Sequence, residues 1–270
     1  MRIADRGRIV YYKQRADSAY WDAHWEDSIR RESYENALQG GLGWFEEVFS
    51  RHLPKQEPII EAGCGIGQFV VALRKRGYSV EGIDWGRRTV EKVLELFPDL
   101  PIRCGDVCAM DVPDDYYGAY ISLGVVEHRA EGAEPFLDEA FRVLRPGGLA
   151  LISVPWYNPI RRIKAWAGLI RANGALENLE FYQYAYRACE MRNYLSDAGF
   201  RVINARSFNL QMGFEDELPF LASLYRIPTA GRLLKRLIRK GDIMSRICGV
   251  PPSTSATVPA NTSLSADSRA

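Results

Sequence analysis

The chain has 270 residues, of which 47% are hydrophobic and 26% charged, and its formal net charge is +1. This composition excludes collagen-like, fibrous and wholly disordered proteins, and the near-neutral charge gives no general sign of a nucleic-acid partner. The cysteines are odd in number and form no Cys-x-x-Cys pair, so we expect reduced thiols. The sequence shows no signal peptide and no apolar run near the roughly 20 residues that span a bilayer, which predicts a cytoplasmic protein.

Strands and helices alternate through the middle of the chain, between an aromatic arm at residues 1–53 and a polar C-terminal tail. Alternation of this kind builds a parallel sheet covered by helices. The predicted fold is therefore α/β, a Rossmann-like doubly wound, mostly parallel sheet with helices on both faces. The predicted strands lie at 59–61, 78–84, 101–105, 119–123, 149–154 and 200–208, and the predicted helices at 69–76, 89–97, 134–144 and 188–198.

The remaining segments divide the chain into four parts. The core domain covers residues 54–208 and contains an insertion at about 155–186. A helical cap follows at 209–252, where 243–250 is a candidate last strand. Residues 253–270 have almost nothing to bury, so this tail is predicted to be disordered. The arm, with its run from Tyr20 to Trp25, suits a lid over a flat ligand, and packing against the core domain is the alternative.

A glycine-rich loop, Glu61 to Gly67, joins the first predicted strand of the core to its first helix. Glycines at alternate positions can take positive φ and let a ligand lie against the backbone, beside the free amides of a helix start. A dinucleotide site prefers Gly-x-Gly-x-x-Gly, and here Gln68 occupies the place of the third glycine. Glu61 would repel phosphate and suits a positively charged group, so the loop favours a ligand without pyrophosphate.

Two more carboxylates end the next two predicted strands. Asp84 can accept hydrogen bonds from both hydroxyls of a ribose, and Asp106 with the amide of Val107 can bind an exocyclic amine and a ring nitrogen. Alone, each of these features also fits an ordinary structural loop. Their order along the chain, all at strand ends, favours a ligand site.

This set resembles the class I S-adenosylmethionine-dependent methyltransferases over about residues 58–154. The resemblance implies S-adenosyl-L-methionine as cofactor, with the glycines along its methionine moiety, Asp84 on its ribose, and Trp85 and Asp106 around its adenine. The residues assigned to the cofactor are Glu61, Gly63, Gly65, Gly67, Asp84, Trp85, Asp106, Val107 and Leu123.

Candidate catalytic residues follow the fourth predicted strand of the core. His128 can take a proton near neutral pH, and Glu127 stands beside it, whereas His24 in the arm is a weaker candidate base. The segment resembles that of quinone-type O-methyltransferases, whose Glu-x-x-Glu-His pattern can bind a divalent metal. Gly124 replaces the first acid of that pattern, so no metal is assigned. Capping of the next loop by Glu127 and His128 is the alternative interpretation.

Two amphipathic segments are strongly basic: residues 160–171 contain four basic residues and no acid, and residues 226–246 contain seven and one. In the first, Ile163 and Trp166 belong to an apolar helical face opposite Arg161 and Lys164. Three interpretations are open: solvated faces of cap helices, contact with an anionic membrane through 160–171 and 232–240, and contact with RNA. No RNA-binding signature accompanies the charge, so a nucleic-acid partner is not favoured.

These features predict an S-adenosylmethionine-dependent methyltransferase whose acceptor is a small or lipid-like molecule, with oxygen as the favoured methylated atom. We expect it in the cytoplasm, with peripheral contact at the inner membrane surface as a variant. A protein that binds the cofactor without transferring a methyl group and an RNA methyltransferase are the alternatives.

Overall fold

The computed structural model of the protein describes residues 1–170, 179–205, 217 and 255–259. Within these ranges, no helix is long and apolar enough to span a bilayer. The strands are β1 (Arg2–Asp5), β2 (Arg8–Lys13), β3 (Ile59–Ala62), β4 (Val80–Asp84), β5 (Ile102–Cys104), β6 (Tyr117–Leu123), β7 (Leu144–Ser153), β8 (Glu180–Ala185) and β9 (Ser255–Pro259). The helices are α1 (Ser18–Trp25), α2 (Glu35–Leu38), α3 (Glu46–His52), α4 (Gln68–Lys75), α5 (Arg87–Leu96), α6 (Glu134–Val143), α7 (Pro159–Trp166) and α8 (Ala188–Asp197).

The central sheet has the strand order β5-β4-β3-β6-β7-β9. Pairing is parallel from β5 to β7 and antiparallel between β7 and β9. The chain proceeds from β3 to β4 and β5 on one side, then crosses to β6 and β7 on the other. The connections that follow β3 and β6 therefore leave in opposite directions, and a crevice opens between them, which is where such sheets bind ligands. The predicted Rossmann-like α/β class is confirmed.

Apolar side chains on both faces of the central sheet form the core. Because successive strand residues point to opposite faces, Ile60 and Ile59 belong to different apolar clusters. On the first face α6 buries Leu137 and Ala140, whose three-residue spacing places them on one side of the helix. The second face is covered mainly by buried side chains of α4 and α5, namely Val70, Val71, Leu73, Val90 and Val93.

The N-terminal arm begins with a hairpin that the sequence analysis does not predict. Its strands β1 and β2 pair antiparallel, and β2 also pairs antiparallel with β8, which gives a separate three-stranded sheet. Arg6 and Gly7 make the hairpin turn, both with positive φ, as a type I′ turn requires. The arm and the segment predicted as an insertion at 155–186 are therefore joined by backbone hydrogen bonds.

The predicted disorder of 253–270 is wrong for residues 255–259, which form β9 against the edge of β7. An unpaired edge strand exposes backbone donors and acceptors, and β9 covers that row. Tail composition could not reveal this pairing, because the partner strand lies about a hundred residues earlier. The strand predicted at 200–208 is absent from the described residues 200–205. The candidate strand at 243–250 and the basic segment 232–240 lie outside the described residues.

Helix α7 has the opposite orientation to the one its amphipathic pattern suggests. Ile163 is 64% exposed and Trp166 is 89% exposed. By contrast, Arg161 and Lys164 turn inward and pair with the buried carboxylate of Glu217, at 2.8 and 3.0 Å. Arg2 reaches the same carboxylate at 2.6 Å. A buried carboxylate is costly unless cations and hydrogen bonds surround it, and this requirement decides which face of α7 points inward.

The three cations hold the pKa of Glu217 at about 2 against the opposing effect of burial. We expect Glu217→Gln to lower the free energy of unfolding at pH 7 by about 3 kcal/mol, because three cations lose their shared anion. A depressed carboxylate pKa stabilises the fold above the unfolded-state pKa, so the difference should shrink as the pH falls from about 4.5 to 2. Urea denaturation measures it. The control is Arg162→Gln, which removes an exposed cation of α7 and should change the free energy of unfolding by less than about 0.5 kcal/mol. An equal effect of the two variants would contradict the stabilising role of the Glu217 cluster.

Candidate active site

A cavity of about 620 Å³ opens at the carboxyl ends of the central strands. This volume is within the range of small-molecule sites. Of the nine residues that the sequence assigns to the cofactor, seven line the cavity, and Glu61 and Gly67 do not. His128 also lines it. The seven are Gly63, Gly65, Asp84, Trp85, Asp106, Val107 and Leu123.

The glycine loop forms one wall of the cavity with its bare backbone. Gly63 and Gly65 both have positive φ, at 78° and 52°. A Cβ atom at Gly63 would lie 2.4 Å from Cγ2 of Val125, and one at Gly65 would lie 3.0 Å from the indole of Trp25. Both positions therefore require glycine, for backbone conformation and for space.

Asp84 connects this loop to the next one. Its Oδ2 accepts a hydrogen bond from the amide of Gly65 at 2.7 Å, and its Oδ1 accepts one from the amide of Gly86 at 2.9 Å. Burial raises the pKa of Asp84, while the two amide hydrogen bonds act to lower it. Each carboxylate oxygen keeps a further lone pair, so the side chain can still accept hydrogen bonds from a ligand.

Glu61 and Gly67 lie next to the cavity residues but outside the cavity lining. Glu61 is buried, and burial together with nearby Asp84 raises its pKa to about 8. Its Oε2 has no hydrogen-bond partner among the described residues. Gly67 has a φ of 70° and stands directly before α4, where a Cβ atom would approach Leu100 rather than the cavity. Gly67 thus provides the positive φ with which the loop turns into α4.

The opposite end of the cavity combines an exposed ring with a polar turn. Trp85 is 52% exposed, so its indole is available to a ligand. The carboxylate of Asp106 accepts a hydrogen bond from the amide of Cys108 at 2.8 Å, and Val107 beside it is buried. An indole, a carboxylate and an apolar side chain together suit an adenine ring.

These features fit S-adenosyl-L-methionine. The bare loop of Gly63 and Gly65 gives the room that a methionine chain needs against the backbone. The remaining lone pairs of Asp84 suit ribose hydroxyls, and the wall around Trp85 suits adenine. The glycine loop, Asp84 and Asp106 follow three successive strands, β3, β4 and β5, as the sequence predicts.

His128 is held by the second sheet. Its Nδ1 lies 2.8 Å from the carbonyl oxygen of Tyr182 on β8. A carbonyl only accepts hydrogen bonds, so this contact assigns the proton to Nδ1 and leaves Nε2 with its lone pair. Burial lowers the pKa of His128 to about 4, which keeps the ring neutral at physiological pH.

Glu127 differs from His128 in its protonation state. Burial raises its pKa to about 8, so its carboxyl group is protonated at neutral pH. Its Oε1 lies 4.0 Å from Nε2 of His128, beyond hydrogen-bond distance. Its Oε2 has no partner within the described part of the chain. Glu127 therefore does not hydrogen-bond to His128 and does not orient its ring.

The aromatic residues of α1 have no individual place in the site that the sequence alone predicts. Trp21 and Trp25 both line the cavity. The ring of Trp21 meets that of His128 edge-to-face, with centroids 4.9 Å apart, and Tyr182 meets His128 similarly at 5.0 Å. The spacing of four residues between the tryptophans is the available signal, since it places them on one helical face.

Metal binding has no support among the described residues, where no group of three or more His, Cys, Asp or Glu side chains is arranged to hold an ion. Gly124, at the position of the first acid in the metal-binding pattern, has a φ of 73°. A Cβ atom there would lie 3.6 Å from Oε1 of Glu127, so there is space for one. The glycine is required here by its backbone conformation.

Comparison with known proteins matches residues 60–152 to a family model described as a methyltransferase domain. A probable S-adenosylmethionine-dependent methyltransferase of Mycolicibacterium smegmatis is 35% identical over 117 residues, which is 42% of this chain and 45% of the relative. An S-adenosyl-L-methionine-dependent Diels-Alderase, iccD, of Talaromyces variabilis is 31% identical over 122 residues, 42% of this chain and 39% of the relative. The matches thus span less than half the length of either relative.

Among solved structures, the [4+2]-cyclase SpnF superposes with a TM-score of 0.53 at 17% identity. The superposition covers 93% of this chain and 99% of the cyclase. At this identity the likeness shows the fold alone. The family model describes the matched residues as a methyltransferase domain, and both relatives are described as S-adenosylmethionine-dependent, which agrees with the cavity geometry.

Asp84→Ala should weaken binding of S-adenosylmethionine by about 1–3 kcal/mol, because the ribose hydroxyls lose a charged acceptor and the two loop amides lose theirs. Isothermal titration measures the change. The control is Asp99→Ala, which removes an exposed carboxylate outside the cavity and should leave affinity unchanged. Equal affinity of Asp84→Ala and the unmodified protein would exclude Asp84 from the site.

Proposed function

We propose that this chain, whose residues 60–152 belong to the class I S-adenosylmethionine-dependent methyltransferases, transfers a methyl group to an oxygen of a small or lipid-like molecule. The observation that carries the proposal is the neutral, partly buried His128 in the cavity lining, with Nδ1 hydrogen-bonded to a carbonyl and Nε2 left as a proton acceptor. An oxygen acceptor is favoured because a hydroxyl must lose a proton when it is methylated.

The cofactor supplies an activated methyl group, so the protein mainly has to position the acceptor and remove its proton. The carbonyl of Tyr182 fixes the ring of His128 and stabilises the imidazolium that forms as Nε2 takes the proton. Glu127 is protonated at neutral pH, so it adds no negative charge that would stabilise the imidazolium. In this mechanism His128 is the base and Glu127 part of its buried surroundings.

The cavity walls support an apolar, flat acceptor. Trp21, Phe136 and Phe181 contribute rings to the lining. Aromatic rings give a large apolar contact area at little conformational cost. Near them, Arg15 and Glu180 add polar groups to the wall. This combination suits a hydroxylated ring system or a lipid-like molecule with a polar head.

A second candidate function is S-adenosylmethionine-dependent cyclisation without methyl transfer. It is favoured by the relative described as a Diels-Alderase, which shares 31% identity over 122 residues. A cycloaddition needs a shaped cavity and no proton acceptor. In that case the bound cofactor would act as part of the wall.

One experiment separates the two candidates. The purified protein is incubated with methyl-labelled S-adenosylmethionine and an organic extract of cells that lack its gene. Label in an extractable product, together with S-adenosylhomocysteine, supports methyl transfer. Consumption of an extract component into an unlabelled isomer, dependent on the cofactor, would replace the proposal with cyclisation.

His128→Asn tests the assignment of the base. The amide can still donate to the Tyr182 carbonyl but cannot take up a proton, so kcat should fall about 10²–10⁴-fold. With the unmodified protein, kcat/KM should stay constant from pH 8 to about 5 and fall only as the pH approaches 4, where Nε2 becomes protonated. His24→Asn, at a histidine outside the cavity lining, should lower kcat less than tenfold. An unchanged rate for His128→Asn would require another base.

A further inference from the structure

Helix α5, which follows the ribose-binding strand end, lacks a cap from its own loop. Its N-cap position is Gly86, which has no side chain to accept a hydrogen bond from the first turn. The first turn also contains no acidic residue. The amides at a helix start need acceptors and favour a negative charge. Some other part of the molecule must supply both.

The N-terminal arm supplies them through Asp22 on α1. Its Oδ1 accepts hydrogen bonds from the backbone amide of Thr89 at 2.8 Å and from the Thr89 hydroxyl at 3.0 Å. These are the contacts that an N-cap side chain makes with the third residue of its own helix. A Cβ atom at Gly86 would lie 2.8 Å from the same Oδ1, so glycine permits the close approach.

This contact reaches the cofactor site in two directions. Through the start of α5 it supports Gly86, whose amide bonds Asp84. Through α1 it fixes the helix whose neighbouring face carries Trp21 and Trp25 into the cavity. One hydrogen-bonded carboxylate thus sets both the ribose-binding loop and the tryptophans of the lid.

We propose that Asp22 is a positioning residue for the cofactor: it caps α5 from the arm and so holds the lid and the ribose-binding loop in their binding geometry. The proposal rests on the cofactor-binding part of the proposed function and is independent of the acceptor. The proposal also gives the N-terminal arm a part in cofactor binding, in addition to the residues of the core domain.

Titration with S-adenosylhomocysteine tests the proposal without any acceptor. Asp22→Ala should weaken binding about fivefold to tenfold, the loss that removal of a helix cap can produce. Asp22→Asn should retain most of the affinity, because its amide oxygen can accept the same two hydrogen bonds. Retained affinity in Asp22→Asn would show that the hydrogen bonds of residue 22, and not its negative charge, support cofactor binding.

The matched control is Glu26→Ala, at the residue that directly follows the same helix. Glu26 forms an exposed ion pair with Lys92 of α5, at 2.6 Å, and lies outside the cavity lining. Removing it should change affinity less than twofold, since exposed pairs contribute little. If Glu26→Ala and Asp22→Ala weaken binding equally, any acidic residue that pairs the arm with α5 has the same effect. The specific capping role of Asp22 is then refuted.

Gly86→Ala provides a second route to the same disturbance if Asp22→Ala does not fold. The φ of Gly86 is −72°, so alanine fits the backbone, but its Cβ would lie 2.8 Å from Oδ1 of Asp22 and 2.9 Å from Oγ1 of Thr89, so the contact between these two side chains must open. Affinity should fall as in Asp22→Ala, while circular dichroism at the titration temperature shows a folded protein. Unchanged affinity in a folded Asp22→Ala or Gly86→Ala variant would overturn the proposal. Absence of binding by the unmodified protein would instead refute the cofactor site itself.

Discussion

The site depends on the hydrogen bonds that the Asp84 carboxylate accepts, because they join the loop after β3 to the loop after β4. One oxygen holds the glycine loop through Gly65, and the other holds the start of the next connection through Gly86. Asp84 is only 8% exposed. If either hydrogen bond were lost, the carboxylate oxygen and the amide would have little water to replace the missing partner. The width of the cavity between the loops is thereby fixed before a ligand arrives, which reduces the ordering cost of binding.

The segments outside the core domain complete this frame. Strand β8 provides the carbonyl of Tyr182 that orients His128, and β8 pairs with β2 of the arm. The arm then continues into α1, whose Trp21 packs on His128 and whose Trp25 lies against Gly65. A buried Glu217 binds Arg2 of the arm and Arg161 after the core, which ties the same two segments together a second time. His128, the proposed base, is consequently positioned by sequence that lies far from it in the chain.

Local patterns predicted the core domain well, because each strand, helix and glycine turn there is set by nearby residues. The strand ends at Asp84 and Asp106 followed from alternation, and parallel pairing then brought them to one edge. The failures concern long-range pairing. The strand at 255–259 has a polar composition and forms only against β7. The orientation of α7 reversed because Glu217, outside the helix, outweighs its apolar pattern. Trp21 and Trp25 enter the cavity through tertiary contacts of α1 that no short motif encodes.

Methyl transfer and cyclisation make different demands on this cavity, and the charge state of its walls bears on the choice. Burial keeps Glu127 protonated and His128 neutral at physiological pH, so neither presents a fixed charge to the ligand. A sulfonium that passes its methyl group to a hydroxyl loses its positive charge, and a poorly solvated site favours that loss. The released proton then needs an acceptor. The hydrogen bond from His128 to Tyr182 prepares one by fixing the tautomer, a feature for which a concerted cyclisation has no use, and this favours methyl transfer.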